Sequence, residues 1–286
     1  MQPPVDQVSG GTLYIVATPI GNLADIGQRA LAIIASVDLV AAEDTRHTRK
    51  LLSYYGIVAR LISLHRDNER QRVEGFLSRL KNGASIALVS DAGTPLVSDP
   101  GFLLVQRATL AGLPVRAVPG PSAVVAALSV CGLPTDRFVF DGFLPSRSSA
   151  RRTYLGTCVN ETRTMVFFEA PRRLPSTLAD MARVFGDERE VSLVLEISKT
   201  FERIILGSIG ELLARSRKKE LVLRGECVLI VSGAIQTNAI ETDADRLVGA
   251  LSPHFSPRQV AEVAAAIAGG GKNAFYRKAL QVKAPR

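Results

Sequence analysis

Short, nearly unbroken apolar runs alternate with longer stretches whose apolar residues recur at helical spacing. Leu13-Tyr-Ile-Val-Ala17 reads as a buried strand. From about Asp25 a helix follows, with Ile26, Ala30, Ile33 and Ile34 on one stripe. Asp38-Leu-Val-Ala-Ala42 predicts a second strand, and Thr45 to Tyr55 a helix that Gly56 stops. Arg60 to Leu64 is short and extended, and Asn68 to Leu80 is helical up to Asn82-Gly83. Ser85 to Ser90 predicts another strand, Phe102 to Ala111 a helix, and Pro114 to Val118 a strand. Such βα alternation implies a mostly parallel sheet with helices on both faces.

At Pro119-Gly120-Pro121 the pattern resets. A helix over Ser122 to Cys131 leads into strand candidates at Arg137 to Gly142, Arg163 to Phe168, Val191 to Glu196, Arg203 to Leu206 and Glu226 to Val231. Their close spacing late in the chain predicts an α+β lobe with some antiparallel pairing. After Ser232-Gly233 comes a polar stretch, Asn238 to Asp245. Ser256-Pro257 then opens a helix as N-cap and first-turn proline, with Val260, Val263, Ala264 and Ile267 as its apolar stripe. Gly269 to Gly271 ends it, and Lys272 to Val282 forms a last, basic helix. The expected organisation is a short N-terminus over 1–10, an α/β lobe over 11–120, an α+β lobe over 121–233 and a helical, helix-turn-helix-like tail over 240–286.

Composition narrows the class. A chain of 286 residues suits about two domains at ~150 residues each. With 47% hydrophobic and 22% charged residues it falls among globular proteins, not disordered or fibrous ones. Lys plus Arg number 35 against 27 Asp plus Glu, a net charge of +8 with a pI near 9.7, which suits a polyanionic partner. Cys131, Cys158 and Cys227 are widely spaced in apolar runs, as expected for buried thiols in a reduced, cytoplasmic setting. Without CxxC pairs, and with only His47, His65 and His254, no metal site is expected. Met1 to Gly11 lacks the apolar core of a signal peptide, and no uncharged apolar run approaches the ~18 residues of a membrane span.

Several familiar motifs are absent. No GxGxxG follows the first strand, Gly269-Gly-Gly-Lys272-Asn273 lacks the spacing and hydroxyl of a P-loop, and neither HExxH nor GxSxG occurs. What stands out instead are five turns at strand ends, all but the second punctuated by Gly or Pro: Ala17-Thr-Pro-Ile-Gly-Asn-Leu-Ala-Asp25, Ala42-Glu-Asp-Thr-Arg46, Ser90-Asp-Ala-Gly-Thr-Pro-Leu-Val-Ser-Asp-Pro-Gly101, Val118-Pro-Gly-Pro-Ser-Ala123 and Phe168-Glu-Ala-Pro-Arg-Arg173. Open α/β sheets bind ligands outside the carboxyl ends of their strands, so these loops are expected to converge on one crevice. Glycine lets backbone approach a ligand and proline stiffens the loop. Each turn taken singly is also consistent with a plain connection; the twelve-residue third loop is the least so.

The first, second, third and fifth of these turns resemble those of the bacterial 16S rRNA (cytidine-2′-O)-methyltransferases, in the tetrapyrrole methylase class. The similarity runs from about Gly11 to Gly233, with a matching helical tail. The resemblance implies an α/β, two-lobed fold, S-adenosyl-L-methionine in the cleft between lobes, and a homodimer. It implies 2′-O-methylation of a cytidine ribose in the decoding region of 16S rRNA, within the small ribosomal subunit. It also implies that Pro19, Gly93, Thr94, Pro95, Leu96, Val97 and Ser98 line the cofactor. Ser122 and Ala123 would meet its amino-acid or sulfonium end, with Phe168, Glu169, Ala170 and Cys227 on the adenosine side.

A ribose hydroxyl is a poor nucleophile until something accepts its proton. The candidates are Asp44, Asp91, Asp99, Glu169 and Glu196, with Asp99 and Asp91 favoured because they flank the third loop. Asp99-Pro100 reads equally well as a helix N-cap followed by a first-turn proline. Lys199 suits lowering a hydroxyl pKa or holding phosphate, or is a solvated loop residue, and His65 is a weaker base candidate. For RNA, Arg137 to Arg173 holds seven Arg against three acidic residues. Arg147, Arg151 and Arg152 are spaced to share a helix face and grip phosphates. Arg46, with Arg49 and Lys50 beside it, Arg172, and Lys272, Arg277 and Lys278 in the tail complete the RNA-contact set; Lys283 and Arg286 add tail charge. Arg217 to Lys219 reads as a solvated run, Tyr154 and Tyr276 as candidate base-stacking groups, and Phe275 as core. Two alternatives remain open: a tetrapyrrole-modifying methyltransferase, which needs no basic tail, and a non-catalytic RNA-binding or assembly factor, which needs no cofactor loops.

Overall fold

The computed structural model describes residues 8–234, 239–269 and 271–283. The short N-terminal segment expected over 1–10, the start of the polar stretch at Asn238, and Arg286 fall wholly or largely outside these residues. The chain divides into two compact units, 1–233 and 234–286.

The first unit holds two five-stranded sheets. In the first, β1 (Leu13–Val16), β2 (Leu39–Ala42), β3 (Leu61–Ser63), β4 (Ile86–Val89) and β5 (Val115–Val118) are ordered β3-β2-β4-β1-β5, all parallel. Helices α1 (Gln28–Ser36), α2 (Thr45–Tyr54), α3 (Glu69–Lys81) and α4 (Phe102–Leu110) make the crossovers. β2 and β4 are buried at every position, which is why they read as unbroken apolar runs with no alternation. Tyr14, Val16, Val40 and Val89 pack on one face, and Leu13, Leu39, Ile86 and Leu88 on the other.

The Pro119-Gly120-Pro121 turn carries the chain to α5 (Ala123–Val130) and the second sheet. Here β6 (Phe138–Phe143), β7 (Thr164–Glu169), β8 (Glu190–Leu195), β9 (Arg203–Ser208) and β10 (Cys227–Val231) are ordered β6-β7-β10-β8-β9. Only β6 and β7 run parallel; the other pairs are antiparallel. One face packs on α6 (Ser148–Thr157), α7 (Leu174–Phe185) and α8 (Ile209–Arg217), the other on α5. The pattern reading passes over α7 and α8. Their buried stripes, Leu174, Leu178 and Met181, and Ile209, Leu212, Leu213 and Ser216, do keep helical spacing, but α7 starts inside a turn-like Pro-Arg-Arg-Leu-Pro run.

The second unit is three helices: α9 (Ala239–Leu251), α10 (Pro257–Ala268) and α11 (Lys272–Lys283). Ser256 and Gln259 close a reciprocal capping box on α10. α9 begins within the stretch whose polarity hides it; its buried Val248 joins Val260, Ala264, Phe275 and Ala279 in a small core. Among the described residues no helix is long and apolar enough to cross a membrane, and no group of three metal-type ligands occurs.

Candidate functional site

Parallel strands release their loops at one edge, so the turns after β1, β2 and β4 emerge side by side. They face the loops after β7 and before β10 across a cavity of about 420 Å³. Each of the five turns singled out in the sequence contributes to it: Ile20, Glu43, the third loop, Ser122 to Val124, and Phe168 to Pro171.

Backbone ties interlock these loops. Thr18 and Gly93 exchange N–H···O bonds of 2.9 and 3.0 Å, joining the first loop to the third. The Thr94 hydroxyl donates to the Pro121 carbonyl at 3.1 Å, joining the third to the fourth. In the third loop Gly93, Leu96, Ser98 and Gly101 all have positive φ, including two residues with side chains. Such strain persists only where surroundings enforce it, and it gathers at binding sites. Of the residues expected on the cofactor, Gly93, Thr94, Val97, Ser98, Ser122, Ala123, Phe168, Glu169, Ala170 and Cys227 line the cavity; Pro19, Pro95 and Leu96 do not. Pro95 is buried, and its ring stiffens the loop.

Three carboxylates stand on the first-sheet wall: Glu43, Asp91 and Asp99. The Glu43 carboxylate accepts from Asp91 N–H at 3.4 Å, and Asp91 accepts from Asp44 N–H at 3.0 Å. Burial pushes the Glu43 carboxyl up, reinforced by Asp99 and Asp91 and opposed by the Asp91 N–H and Arg66. Burial also pushes Asp99 up, against a hydrogen bond from Ser90 and the charge of Arg66. The capping reading of Asp99 is overturned. The cap of α4 is Gly101, at φ +115, and the Glu69 carboxylate accepts from Leu103 and Leu104 N–H at 2.9 and 3.3 Å. In the second turn Asp44 is the N-cap of α2, accepting from Arg46 N–H at 2.8 Å, so Glu43 is the residue that meets the cavity. Glu43 carries a legible signal: an Asp directly before a helix is a cap, which leaves the preceding acid available.

The Glu169 carboxylate does not act on the cavity. It accepts from Ala170 N–H and Thr177 Oγ1 at 2.8 and 2.7 Å, pairs with Arg173 at 3.1 Å, and is buried. Glu196 and Lys199 also lie off the cavity lining. Lys199 Nζ reaches Glu196 at 3.0 Å and Glu226 at 3.1 Å, so its partly exposed ammonium is engaged by two carboxylates. Burial pulls its ammonium down, but hydrogen bonds to the two carboxylates carry it above its ordinary value. Its stem passes over Gly21, where an added Cβ would lie 2.4 Å from Lys199 Cγ. Ser198 donates to Asp25 in the first loop. These contacts clasp the β8–β9 loop against the first loop, with Ile20, Ile197 and Glu226 on the cavity side.

Phe143 escapes the sequence reading. A register shift between Phe140 and Phe143 turns β6 at Gly142, φ +66, and brings the Phe143 ring to 5.4 Å from that of Phe168. Val194, Gly225 and Val228 complete the apolar floor. Burial, with the Glu169 charge, pushes the Cys227 thiol far up, so it is a packing group.

The expected phosphate grip on α6 is corrected. Arg151 is buried with an ion pair to Asp180 at 2.7 Å, and Arg152 reaches the same carboxylate at 3.1 Å. An amphipathic helix must bury one stripe, and here Arg151 lies on that stripe with Leu155. Arg147, the residue preceding α6, and Arg172 are exposed. In the tail, Lys272 pairs with Glu262 at 2.9 Å and Lys278 with Asp245 at 2.6 Å, while exposed Arg277 turns back to the Asn273 carbonyl. Arg46 is exposed but forked onto Asp44.

A family model for Tetrapyrrole (Corrin/Porphyrin) Methylases matches residues 12–213. The chain is 49% identical over 274 residues to Ribosomal RNA small subunit methyltransferase I of Escherichia coli O157:H7, covering 96% of each. It is 47% identical over 267 residues to the protein of that name in Xylella fastidiosa (strain Temecula1 / ATCC 700964), covering 93% of this chain and 98% of the relative. The crystal structure of Uroporphyrin-III C-methyl transferase from Thermus thermophilus complexed with S-adenyl homocysteine superposes with a TM-score of 0.54 at 16% identity, over 77% of this chain and 97% of that one. At that identity the likeness is one of fold.

Proposed function

The chain belongs to the tetrapyrrole methylase family, and from that premise we infer that it is an S-adenosylmethionine-dependent methyltransferase of small-subunit ribosomal RNA. We take the acceptor to be the ribose 2′-hydroxyl of a cytidine in the decoding region of 16S rRNA. The observation that carries the reading is near-full-length identity to relatives named for that RNA. Likeness to porphyrin enzymes is at the level of fold.

The cavity suits the donor. Its 420 Å³ falls in the range of small-molecule sites. Its lining mixes apolar Ile20, Val97, Phe143, Phe168 and Val228 with carboxylates and, among the described residues, includes no Lys, Arg or His, an environment that favours a cation. Gly93 and Gly120 keep backbone close; a Cβ at Gly120 would lie 3.0 Å from that of Ala17. When bound, S-adenosylmethionine supplies an electrophilic methyl on a cationic sulfur. The third loop and Ser122 to Ala123 hold the donor by backbone, and Phe168 with Val228 packs its apolar part. Asp99, with Glu43 beside it, takes the hydroxyl proton: a carboxylate raised by burial is a better base than an exposed one. Glu196 and Lys199 act by holding the clasp, away from the reacting atoms.

We further propose a homodimer working in the cytoplasm, where small subunits are. Val125 and Val130 on α5 and Ile204 and Leu206 on β9 are exposed, and an added Cβ at Gly132, just past α5, would lie 3.2 Å from Leu206. Exposed apolar residues grouped in this way mark an association surface.

Tritiated donor is offered with small ribosomal subunits, naked 16S rRNA or a tetrapyrrole precursor. The expected result is label in rRNA, released as an alkali-resistant dinucleotide. Label confined to the tetrapyrrole would overturn the RNA assignment, and neither transfer nor donor binding would overturn the enzymatic one.

A further inference from the structure

The RNA-facing charge suggested on α6 is consumed internally, which raises the question of where the acceptor strand is held. From Thr45 to Arg66 the chain has no Asp or Glu, and its basic side chains include Arg46, Arg49, Lys50, Arg60 and Arg66. This segment leaves the carboxyl end of β2, crosses as α2, and returns along β3, the neighbouring parallel strand. Both of its ends therefore lie at the same sheet edge as the cleft. Thr48, Leu51 and Leu52 bury one face of α2. On the opposite face Arg46, Lys50 and Tyr54 follow one another at i, i+4 and i+8, with Arg49 and Ser53 beside them. No carboxylate among the described residues pairs with Arg49 or Lys50. Tyr54 is 68% exposed, and its ring meets that of Tyr55 edge-on at 5.0 Å, the Tyr55 hydroxyl donating to the Leu23 carbonyl. At the cleft end of the stripe, Glu43 faces the cavity and Arg66 donates to the Ser98 carbonyl of the third loop.

We propose that the exposed face of α2, continued by Arg66, is a docking surface for a single-stranded RNA segment that leads the acceptor nucleotide into the cleft; this rests on the RNA reading above. Charge sorts the two ligands. The acidic cavity wall attracts a cationic donor and repels phosphate, so the strand's phosphates ride the outer rim on Arg49, Lys50 and Arg66 while one ribose turns inward. Tyr54 presents an exposed aromatic face, which suits stacking of an unpaired base. Arg46 is already matched by Asp44 and contributes less.

The test measures binding of a fluorescent single-stranded RNA and of small ribosomal subunits by the full chain over a salt series, together with donor affinity. For Arg49→Gln/Lys50→Gln the slope of log affinity against log salt falls by about 1.4, at ~0.7 for each phosphate that is no longer neutralised. Tyr54→Ala weakens binding between about fivefold and a hundredfold with the slope unchanged. Donor affinity stays at the wild-type value in both, which also reports an intact fold. Wild-type RNA affinity and slope in all variants, alongside normal methyl transfer by the wild type, would overturn the surface and leave the function standing. Weakened RNA binding in the variants of a wild-type protein that transfers no methyl would support the surface while overturning the enzymatic reading.

Discussion

Asp99 and Asp180 show how one residue type does opposite things. Burial raises the Asp99 carboxyl, so the folded chain holds its proton more tightly than the unfolded chain does. The ionised form is then disfavoured on folding: no stability is lost below the unfolded value near 3.8, and the cost sets in as pH climbs through the raised one. Asp99→Asn should accordingly melt at a higher temperature than wild type at neutral pH, an advantage that fades on acidification, while methyl transfer falls. Thermal scans from acid to neutral pH, paired with transfer assays, check both halves, and an unchanged transfer rate would remove Asp99 from the proton-accepting role. The acid limb of wild-type activity should be displaced upward from the ordinary aspartate value for the same reason. At Asp180, burial pushes upward, but Ser148, Arg152 and Arg151 outweigh it and hold the carboxyl low. Asp180→Ala strands the Arg151 guanidinium in the core, and denaturant unfolding should show a loss of about 3–5 kcal/mol. Sequence spacing alone placed Arg151 on an RNA face; the identity of the buried stripe depended on Asp180, twenty-nine positions away.

Among the elements, the turns line the cavity and the clasp ties the β8–β9 loop to the first of them. Glu196 and Ser198 both have positive φ in the β8–β9 loop, and Gly225 does so opposite them. A Cβ at Gly225 would lie 1.9 Å from a Glu196 carboxylate oxygen. Gly225→Ala therefore displaces Glu196, which accepts from Glu226 N–H at 2.8 Å and pairs with Lys199. The donor KM should rise more than kcat falls, with a stability loss of about 1–3 kcal/mol, as steady-state kinetics and unfolding would record. Equal effects on both kinetic parameters would mean that the clasp does not shape the donor site. The loops after β1 and β4 were legible because Gly and Pro clusters punctuate apolar runs, and the loop after β2 because the Glu43-Asp44 pair breaks an apolar run just before a helix. The β6 turn that delivers Phe143, and the positions of Gly225 and Glu226, were not, because a register shift is a property of two strands together.

For the whole molecule, the exposed apolar group on α5 and β9 sets the expectation for assembly. Sedimentation should return a dimer for the wild type and a monomer for Val125→Asp/Leu206→Asp, with the melting temperature little changed because both side chains lie on the surface; a wild-type monomer would end that proposal. What the sequence determined by itself is local. Unbroken apolar runs in β2 and β4 marked a sheet covered on both faces, Gly/Pro turns marked loops that line the cavity, and Ser256-Pro257 marked a helix start. These signals depend on the chemistry of a few adjacent residues. Tertiary structure alone decided which acids are spent. Asp44 caps a helix, Glu169 and Asp180 hold arginines, Glu196 holds Lys199, and Glu43, Asp91 and Asp99 are left at the cavity wall. The reason is that a charge acts through the partners that reach it within a few ångströms, and those partners come from distant parts of the chain.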